Sequence, residues 1–175
     1  DRWQLHNFPV NQMFGVQSSI PNFMAQQHVI DDELGAEHYI ARLNAMDTKF
    51  EQILEGLVLR READIHPPAF TVDKVIDQIE GFIEPPAGEH LLVTSFDERL
   101  NRIPEEELGS TRRDELREQV VAAVDGVVYP AYRELLAYLV DLSTDANSND
   151  GVWRLPDGEA FYQAAITQHT TTEMT

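Results

Sequence analysis

The residues with the most distinctive chemistry lie in the last quarter of the chain, around a Pro-Asp-Gly turn. Trp153 and Arg154 precede this turn and could present an aromatic ring and a cation at a groove suited to a peptide carboxylate. His169, followed by three threonines, could offer an imidazole and hydroxyls to a site. A structural interpretation carries more weight, with Trp153 in the core, Arg154 paired with an acid such as Asp157, and His169 near the negative end of a helix dipole. We therefore name Trp153, Arg154 and His169 as candidate substrate-binding residues.

Other patterns with catalytic or metal-binding potential are missing from the sequence. No two of the six histidines are spaced i, i+4, so the His-Glu-x-x-His zinc helix is absent. The lack of cysteine excludes disulfides and thiolate metal sites. No serine has the context of a nucleophile elbow, and paired carboxylates such as Glu33 with Glu37 are typical of a solvated helix face. We expect neither a catalytic residue nor a metal ligand in this chain.

Composition and charge limit the partners. With 31 acidic and 13 basic side chains, the formal net charge of −18 would repel nucleic acid and anionic membrane surfaces. No apolar run approaches the roughly 20 residues that span a bilayer. A length of 175 residues and a hydrophobic fraction of 42% suit one globular domain. We predict that residues 1–175 form a single domain that binds no nucleic acid and does not span a membrane.

Helical spacing of apolar residues dominates the chain and predicts an all-α fold, a bundle-like array of about six antiparallel helices with short loops. The predicted helices cover residues 21–28, 32–46, 48–61, 71–84, 95–103 and 110–143, with a further one after the Pro-Asp-Gly turn. The cleanest apolar stripe consists of Phe50, Ile53, Leu54, Leu57 and Val58. In residues 32–46 the predicted buried face consists of Leu34, Tyr39, Ile40 and Leu43.

Helix boundaries are predicted from capping residues and prolines. Polar residues that could cap helix N-termini are Thr48, Thr71, Ser95 and Asp157, the first and third of them in capping-box patterns. Pro130 lies inside the longest helical pattern and predicts a kink there, or a break near Val128 and Tyr129. Gly158 is interpreted as a helix-start glycine, and Trp153 is expected to fold back onto the face of the helix that follows.

Three stretches of the chain resemble one bacterial family. The longest reads GVWRLPDGEAFY at residues 151–162, followed by HTTT at 169–172. The second comprises PVNQ at 9–12, GVQ at 15–17 and IP at 20–21, and the third is YIARL at 39–43. These three motifs resemble those of the bacterial family called domain of unknown function 885, and the resemblance spans nearly the whole chain.

The resemblance implies a function that this chain would not perform alone. Members of that family are similar to helical zinc metallopeptidases of the thermostable carboxypeptidase type and are much longer than this chain. Their zinc helix and a further glutamate ligand lie downstream of the stretch present here. The resemblance thus implies an inactive N-terminal helical part that forms one wall of a peptide cleft. Its implied partners are the downstream catalytic region and a peptide substrate, with zinc in the full-length parent.

Two further expectations concern the kind of protein. Because the chain begins at Asp1 and its last residues read like the approach to another helix, we expect an internal piece of a longer bacterial protein. Its compartment is not assigned. The alternative interpretation of the function is a stand-alone helical module that binds a protein or a peptide.

Overall fold

The computed structural model describes residues 2–144 and 151–171, and this part of the chain is helical without any strand. Its α-helices are α1 Val16–Asn22, α2 Glu33–Asn44, α3 Met46–Glu62, α4 Ala69–Ile83, α5 Leu91–Leu100, α6 Ser110–Ala123, α7 Tyr129–Ser143 and α8 Gly158–Thr170. Short 3₁₀ turns lie at Gln4–His6, Ala87–Glu89 and Val152–Arg154, and π-helical turns at Phe23–Gln27 and Val124–Val128. The prediction of an all-α array is confirmed.

Helix α7 is the centre of the core. It packs against both α3 and α4 and buries apolar side chains along its whole length. The ring of Tyr132 lies 4.6 Å from that of Phe50 in α3 and 4.4 Å from that of Phe82 in α4. Its hydroxyl donates to the Gln17 carbonyl of α1 at 2.9 Å. One fully buried side chain therefore joins four helices and satisfies its polar atom while doing so.

The irregularity predicted around Pro130 is present as a π-helical turn. Residues Val124–Val128 form this turn between α6 and α7, and Pro130 lies in the first turn of α7. Proline lacks a backbone donor, and its ring crowds the carbonyl four residues earlier, here that of Gly126. A widened turn relieves both problems without ending the helical path.

The first predicted helix begins earlier than the sequence suggests. We expected residues 21–28 to be helical with Pro21 at the start, but α1 begins at Val16 and contains Pro21 near its end. The π-helical turn Phe23–Gln27 then continues the chain. Proline suits a helix start, but a packed helix also accommodates it when the next turn widens.

Two predicted capping residues lie inside helices instead. Thr48 follows the true start of α3 at Met46, a residue that is only 3% exposed and whose burial extends the helix upstream. Thr71 is buried in α4, which begins at Ala69 directly after Pro68. Burial of Met46 decides the start of α3, whereas α4 begins directly after a proline, so neither start follows the local capping pattern.

The predicted cap at Ser95 is also wrong. Ser95 is buried in the middle of α5, which begins at Leu91 because Leu92 and Val93 are fully buried and extend the helix. The cap is His90, whose Nδ1 accepts from the Leu92 amide at 3.3 Å. Histidine is not among the usual N-cap residues, so the sequence pattern did not reveal it.

Two apolar residues that the sequence places on buried stripes face solvent. Leu34 is 56% exposed and Val58 is 42% exposed. The remaining members of the two stripes are buried or half-buried; they are Tyr39, Ile40 and Leu43 in α2 and Phe50, Ile53, Leu54 and Leu57 in α3. Both exposed residues lie at the edge of their apolar stripe. The stripe is wider there than the surface that the rest of the bundle covers.

Arg99 of α5 ties the irregular segment after α1 to the bundle. Its half-buried guanidinium donates to the carbonyls of Met24, Ala25 and His28, where the π-helical turn ends. Carbonyls at the end of a helical segment have no partner within that segment. A planar guanidinium with five donors can serve all three at once, as no other side chain can.

We predict that Arg99→Lys lowers the free energy of unfolding of this chain by about 1–3 kcal/mol, because one ammonium nitrogen cannot reach three carbonyls in the same geometry. The measurement is urea unfolding followed by circular dichroism. The exposed Arg102 provides the matched control, Arg102→Lys, which we expect to change stability little. Equal effects of the two changes would contradict the role given to Arg99.

A second prediction concerns His90, which is 2% exposed. Its Nε2 lies 3.0 Å from the Phe82 carbonyl and donates to it, so Nδ1 is the acceptor of a neutral ring. Burial lowers the pKa of His90 below its ordinary value of 6.5, against the smaller opposing effect of the Phe82 hydrogen bond. Above pH 6.5 both folded and unfolded states hold a neutral ring. As pH falls below 6.5 the unfolded state binds the proton first, and stability is lost.

We therefore expect the stability advantage of the native chain over His90→Asn to decrease between pH 6.5 and pH 5, because asparagine can cap but does not titrate. The slope should not exceed about 1.4 kcal/mol per pH unit. Urea unfolding of both proteins across this range gives the difference, from which shared carboxylate titrations cancel. A difference independent of pH would show that His90 is not held neutral.

Candidate functional site

The N-terminal segment and the last described helix meet in a cluster of aromatic rings. His6 stacks on Phe161 of α8 with 4.6 Å between ring centroids. Trp3 contacts both, at 5.1 Å from His6 and 5.6 Å from Phe161. Ring contacts of this kind each contribute about 0.5–1.5 kcal/mol beyond burial. The cluster is therefore a specific attachment between segments more than 150 residues apart along the chain.

His6 has one ring nitrogen engaged and one free. Its Nε2 lies 3.2 Å from the Pro156 carbonyl and donates to it. Its Nδ1 is buried and has no hydrogen-bond partner among residues 2–144 and 151–171. In the neutral ring that remaining nitrogen is an acceptor. His6 could thus accept a hydrogen bond from a small ligand or a bound water.

A small cavity of about 190 Å³ lies beside the cluster. Its lining consists of His6, Phe8, Pro68, Gly151, Val152, Arg154, Leu155 and Phe161. Most of these groups are apolar, and the polar side chains are those of His6 and Arg154. A space of this size holds about six water molecules or one side chain, at roughly 30 Å³ per water. It could therefore take the end of a ligand rather than a whole peptide.

Arg154 is half-buried and donates to the carbonyl of His66, in the loop before α4. The sequence suggested an ion pair between Arg154 and Asp157. In the structure Asp157 pairs with Arg2 at 2.9 Å, and both of these side chains are about two-thirds exposed. An exposed pair of this kind contributes little stability. Arg154 therefore fixes the turn Val152–Arg154 against the bundle while its side chain lines the cavity.

Trp153 occupies neither of the places that the sequence suggested. It is 74% exposed, so it lies neither in the core nor packed onto the face of α8. The tryptophan that packs on α8 is Trp3. Trp153 lines an open surface depression together with Asp157 and Glu159, whereas Arg154 lines the cavity beside His6. The ring and the cation thus belong to two different surfaces.

His169 lies in the last turn of α8, as predicted, and its side chain is exposed. From Gly158 to His169 the helix rises about 16 Å at 1.5 Å per residue. The structure thus places His169 at the opposite end of α8 from Trp153 and Arg154. Of the threonines that follow it, Thr172 lies outside the described residues.

The start of α8 depends on a close backbone approach. Gly158 is the one buried residue of this helix, and a Cβ on it would lie 2.1 Å from the Val152 carbonyl oxygen. Its prediction as the helix-start glycine is confirmed. Asp157 holds the N-cap position in a left-handed conformation with φ 55°, but its side chain makes no capping bond. The prediction that Asp157 caps α8 is wrong, because a capping residue normally has an extended backbone and Asp157 is left-handed; its carboxylate bonds Arg2 instead.

Trp3, His6 and Phe8 were not recognised from the sequence as parts of a site. The available signal was an N-terminal region rich in apolar residues without helical period, which indicates packing against other elements. Within the described ranges, no group of three or more histidine or carboxylate side chains is arranged to hold a metal ion. No described helix has the length and apolar character needed to cross a bilayer.

Comparison with known proteins places the chain in a family. Residues 2–175 match the sequence model described as "Bacterial protein of unknown function (DUF885)". The chain belongs to this family. A solved structure described as the "putative lipoprotein from Colwellia psychrerythraea" superposes with a TM-score of 0.92 and 32% sequence identity. That match covers 96% of this DUF885 chain and 28% of the relative, so the chain spans little more than a quarter of the relative's length. No curated protein matches the chain.

For this DUF885 chain we predict that Gly158→Ala detaches α8, because the added Cβ collides with backbone rather than with a side chain that could turn away. Hydrogen exchange of the α8 amides should become at least about tenfold faster, the effect of 1.4 kcal/mol or more. The control is Gly81→Ala in the exposed part of α4, where a Cβ meets nothing within 4 Å and helix propensity should improve. Unchanged exchange in Gly158→Ala would contradict the close approach.

Proposed function

We propose that this chain is the N-terminal helical part of a zinc-dependent peptidase of the carboxypeptidase kind, and that it forms one wall of the peptide cleft. The proposal is supported by the resemblance of residues 9–21, 39–43 and 151–172 to a family similar to such enzymes. The family match over residues 2–175 supports the resemblance from which the proposal starts. The relative of known structure, of which the chain covers 28%, leaves ample polypeptide for a catalytic region.

The observation that carries the cleft proposal is the incomplete cover of α8. This helix has thirteen residues, yet Gly158 is the one that is buried. Tyr162 is 53% exposed on it, and Trp153 is 74% exposed just before it. Exposed aromatic side chains on a fixed backbone are typical of surfaces that bind peptides or other proteins. These exposed rings support the proposal that this end of the molecule forms a cleft wall.

The proposed roles of the candidate residues follow from their positions. Trp153 would contact the peptide with its exposed ring. Arg154 would hold the turn through the His66 carbonyl and offer its charge to a peptide carboxylate that enters the cavity. His169, at the far end of α8, would extend the same wall rather than share a subsite with Arg154.

Zinc would be held outside the described residues, which contain no group of three ligands arranged for it. When bound, a catalytic zinc supplies a Lewis acid and an activated water. In this proposal the chain's own residues bind and orient the peptide and exclude water from one side of the cleft. They neither hold the metal nor transfer a proton.

The test compares the longer protein that contains this chain with the 175-residue chain alone. With zinc supplied, the longer protein should shorten peptides in a defined mixture, as followed by mass spectrometry, and the short chain should not. Loss of hydrolysis on chelation and recovery with zinc would support the proposal. A zinc-loaded, folded longer protein without peptidase activity would sink it, as would activity of the short chain that survives repurification.

In that longer protein we expect Trp153→Ala to raise KM about tenfold with kcat little changed, because loss of a contact made equally in the ground and transition states affects binding alone. This corresponds to about 1.4 kcal/mol, ordinary for an aromatic contact residue. The control is Leu34→Ala, which removes an exposed apolar side chain from a different element, α2, and should leave KM unchanged. A lower kcat with an unaltered KM would show that Trp153 does not act by binding peptide.

A further inference from the structure

A loop between the N-terminal turn and α1 presents two large apolar side chains to solvent. Met13 is 67% exposed and Phe14 is 80% exposed. Scattered apolar residues on a surface are ordinary and need no explanation. Here, however, the two are adjacent at the tip of one loop, which we call the Met13–Phe14 tip. Hydrogen bonds within the loop decide whether its backbone fixes these two side chains in exposed positions.

Asn11 fixes the tip from within. Its Oδ1 accepts from the backbone amides of Met13 at 3.0 Å and Phe14 at 2.8 Å. Its Nδ2 donates to the Phe8 carbonyl at 3.2 Å. One side chain therefore satisfies both amides of the tip and ties the tip to the chain before it, an arrangement that asparagine is suited to make.

A second set of bonds fixes the loop to α1 and α4. Gln17, which is 4% exposed, donates to the Asn11 carbonyl at 2.7 Å and to Gln78 Oε1 at 2.9 Å. Gln78 donates in turn to the Gln12 carbonyl at 3.1 Å. The loop also closes tightly at Gly15, where a Cβ would lie 2.5 Å from the Asn11 backbone nitrogen. Both flanks of the tip are thus attached to the bundle.

The side chains of Met13 and Phe14 gain little burial from this ordered loop within the chain. Ordering a backbone residue costs about 1–2 kcal/mol, and the tip's side chains bury little surface in return. A loop ordered in advance around an exposed apolar pair is what a binding contact requires, since the ordering cost is then met before association. The Met13–Phe14 tip has this form.

We propose that the Met13–Phe14 tip docks into an apolar pocket on the polypeptide that accompanies this chain in its longer relatives. The chain covers 28% of the solved relative, so most of that protein's polypeptide lies outside the part that matches this domain and is available to supply the pocket. A second copy of the chain is disfavoured because each copy carries a formal charge of −18. This inference rests on the part of the proposed function that places the chain in a longer protein, and it does not depend on peptidase chemistry.

The absence of cysteine from the chain allows a direct test. Phe14→Cys is introduced into both the 175-residue chain and the longer protein, and the rate of maleimide labelling at residue 14 is followed by peptide mass spectrometry. We expect labelling in the longer protein to be at least about tenfold slower than in the short chain. Leu34→Cys, at an exposed position on helix α2, reports labelling at a site outside the tip.

Three results would overturn the inference. Equal labelling rates at residue 14 in the two proteins would show that nothing covers the tip. Protection that arises only when peptide is added would assign the tip to substrate. Protection in the short chain that increases with its concentration would assign it to self-association. None of these readouts uses peptidase activity, so a failure here is distinct from a failure of the proposed function.

The Asn11→Ala change tests whether the hydrogen bonds from Asn11, and not merely the apolar side chains of the tip, are needed for docking. Without the side-chain oxygen the two tip amides lose their acceptor, and Phe14 should no longer be held in place. In the longer protein, the Asn11→Ala change combined with Phe14→Cys should restore fast labelling. Asn101→Ala, at an exposed position after α5, is the matched control and should leave residue 14 protected. Continued protection in the Asn11→Ala protein would contradict the positioning role given to Asn11.

Discussion

Arginine side chains that donate to backbone carbonyls hold the irregular segments of this protein onto its helices. Arg99 binds the end of the π-helical turn after α1. Arg113 of α6 does the same for the connection before it, through the carbonyls of residues 100, 103 and 108. Arg60 binds the carbonyl of Asn7, and Arg154 binds that of His66. Loops carry carbonyls that no helix satisfies, and the guanidinium is the side chain that can reach several of them together.

This use of arginine has a consequence for the charge of the molecule. The chain has 13 basic side chains against 31 acidic ones, and several of the basic groups are engaged with carbonyls rather than carboxylates. Within residues 2–144 and 151–171, most carboxylates therefore have no ion-pair partner, and the excess negative charge favours solubility and opposes self-association. The same arrangement supports the candidate site, because Arg60 donates to the carbonyls on both sides of His6, at Gln4 and Asn7. Burial lowers the pKa of Arg60, which is the cost of placing a cation there.

The sequence predicted the parts of the fold that depend on helical periodicity. It did not predict the helix starts and contacts that depend on packing between segments distant in the chain. The stripe on α3 and the irregularity before Pro130 follow from local spacing and are present. Helix starts at Met46 and Leu91 were missed, because burial against other helices outweighed the local capping patterns. At the site, Gly158 was predicted from its local role, whereas the ring of Trp3 on Phe161 was not. A contact between the two ends of a chain leaves no trace in the spacing of either end.

The two most distinctive stretches of the sequence turn out to specify backbone geometry more than chemistry. In residues 9–17 the asparagine, glycine and glutamine build the loop that carries Phe14. In residues 151–162 the glycine before Glu159 permits the backbone approach that starts α8, and the aromatic residues on either side remain partly exposed. The stretches meet where His6, just before the first, donates to Pro156 within the second. A distinctive sequence motif can therefore specify a rigid backbone that supports exposed apolar side chains. In this protein those exposed groups are Met13 and Phe14 in the first stretch and Trp153 and Tyr162 in the second.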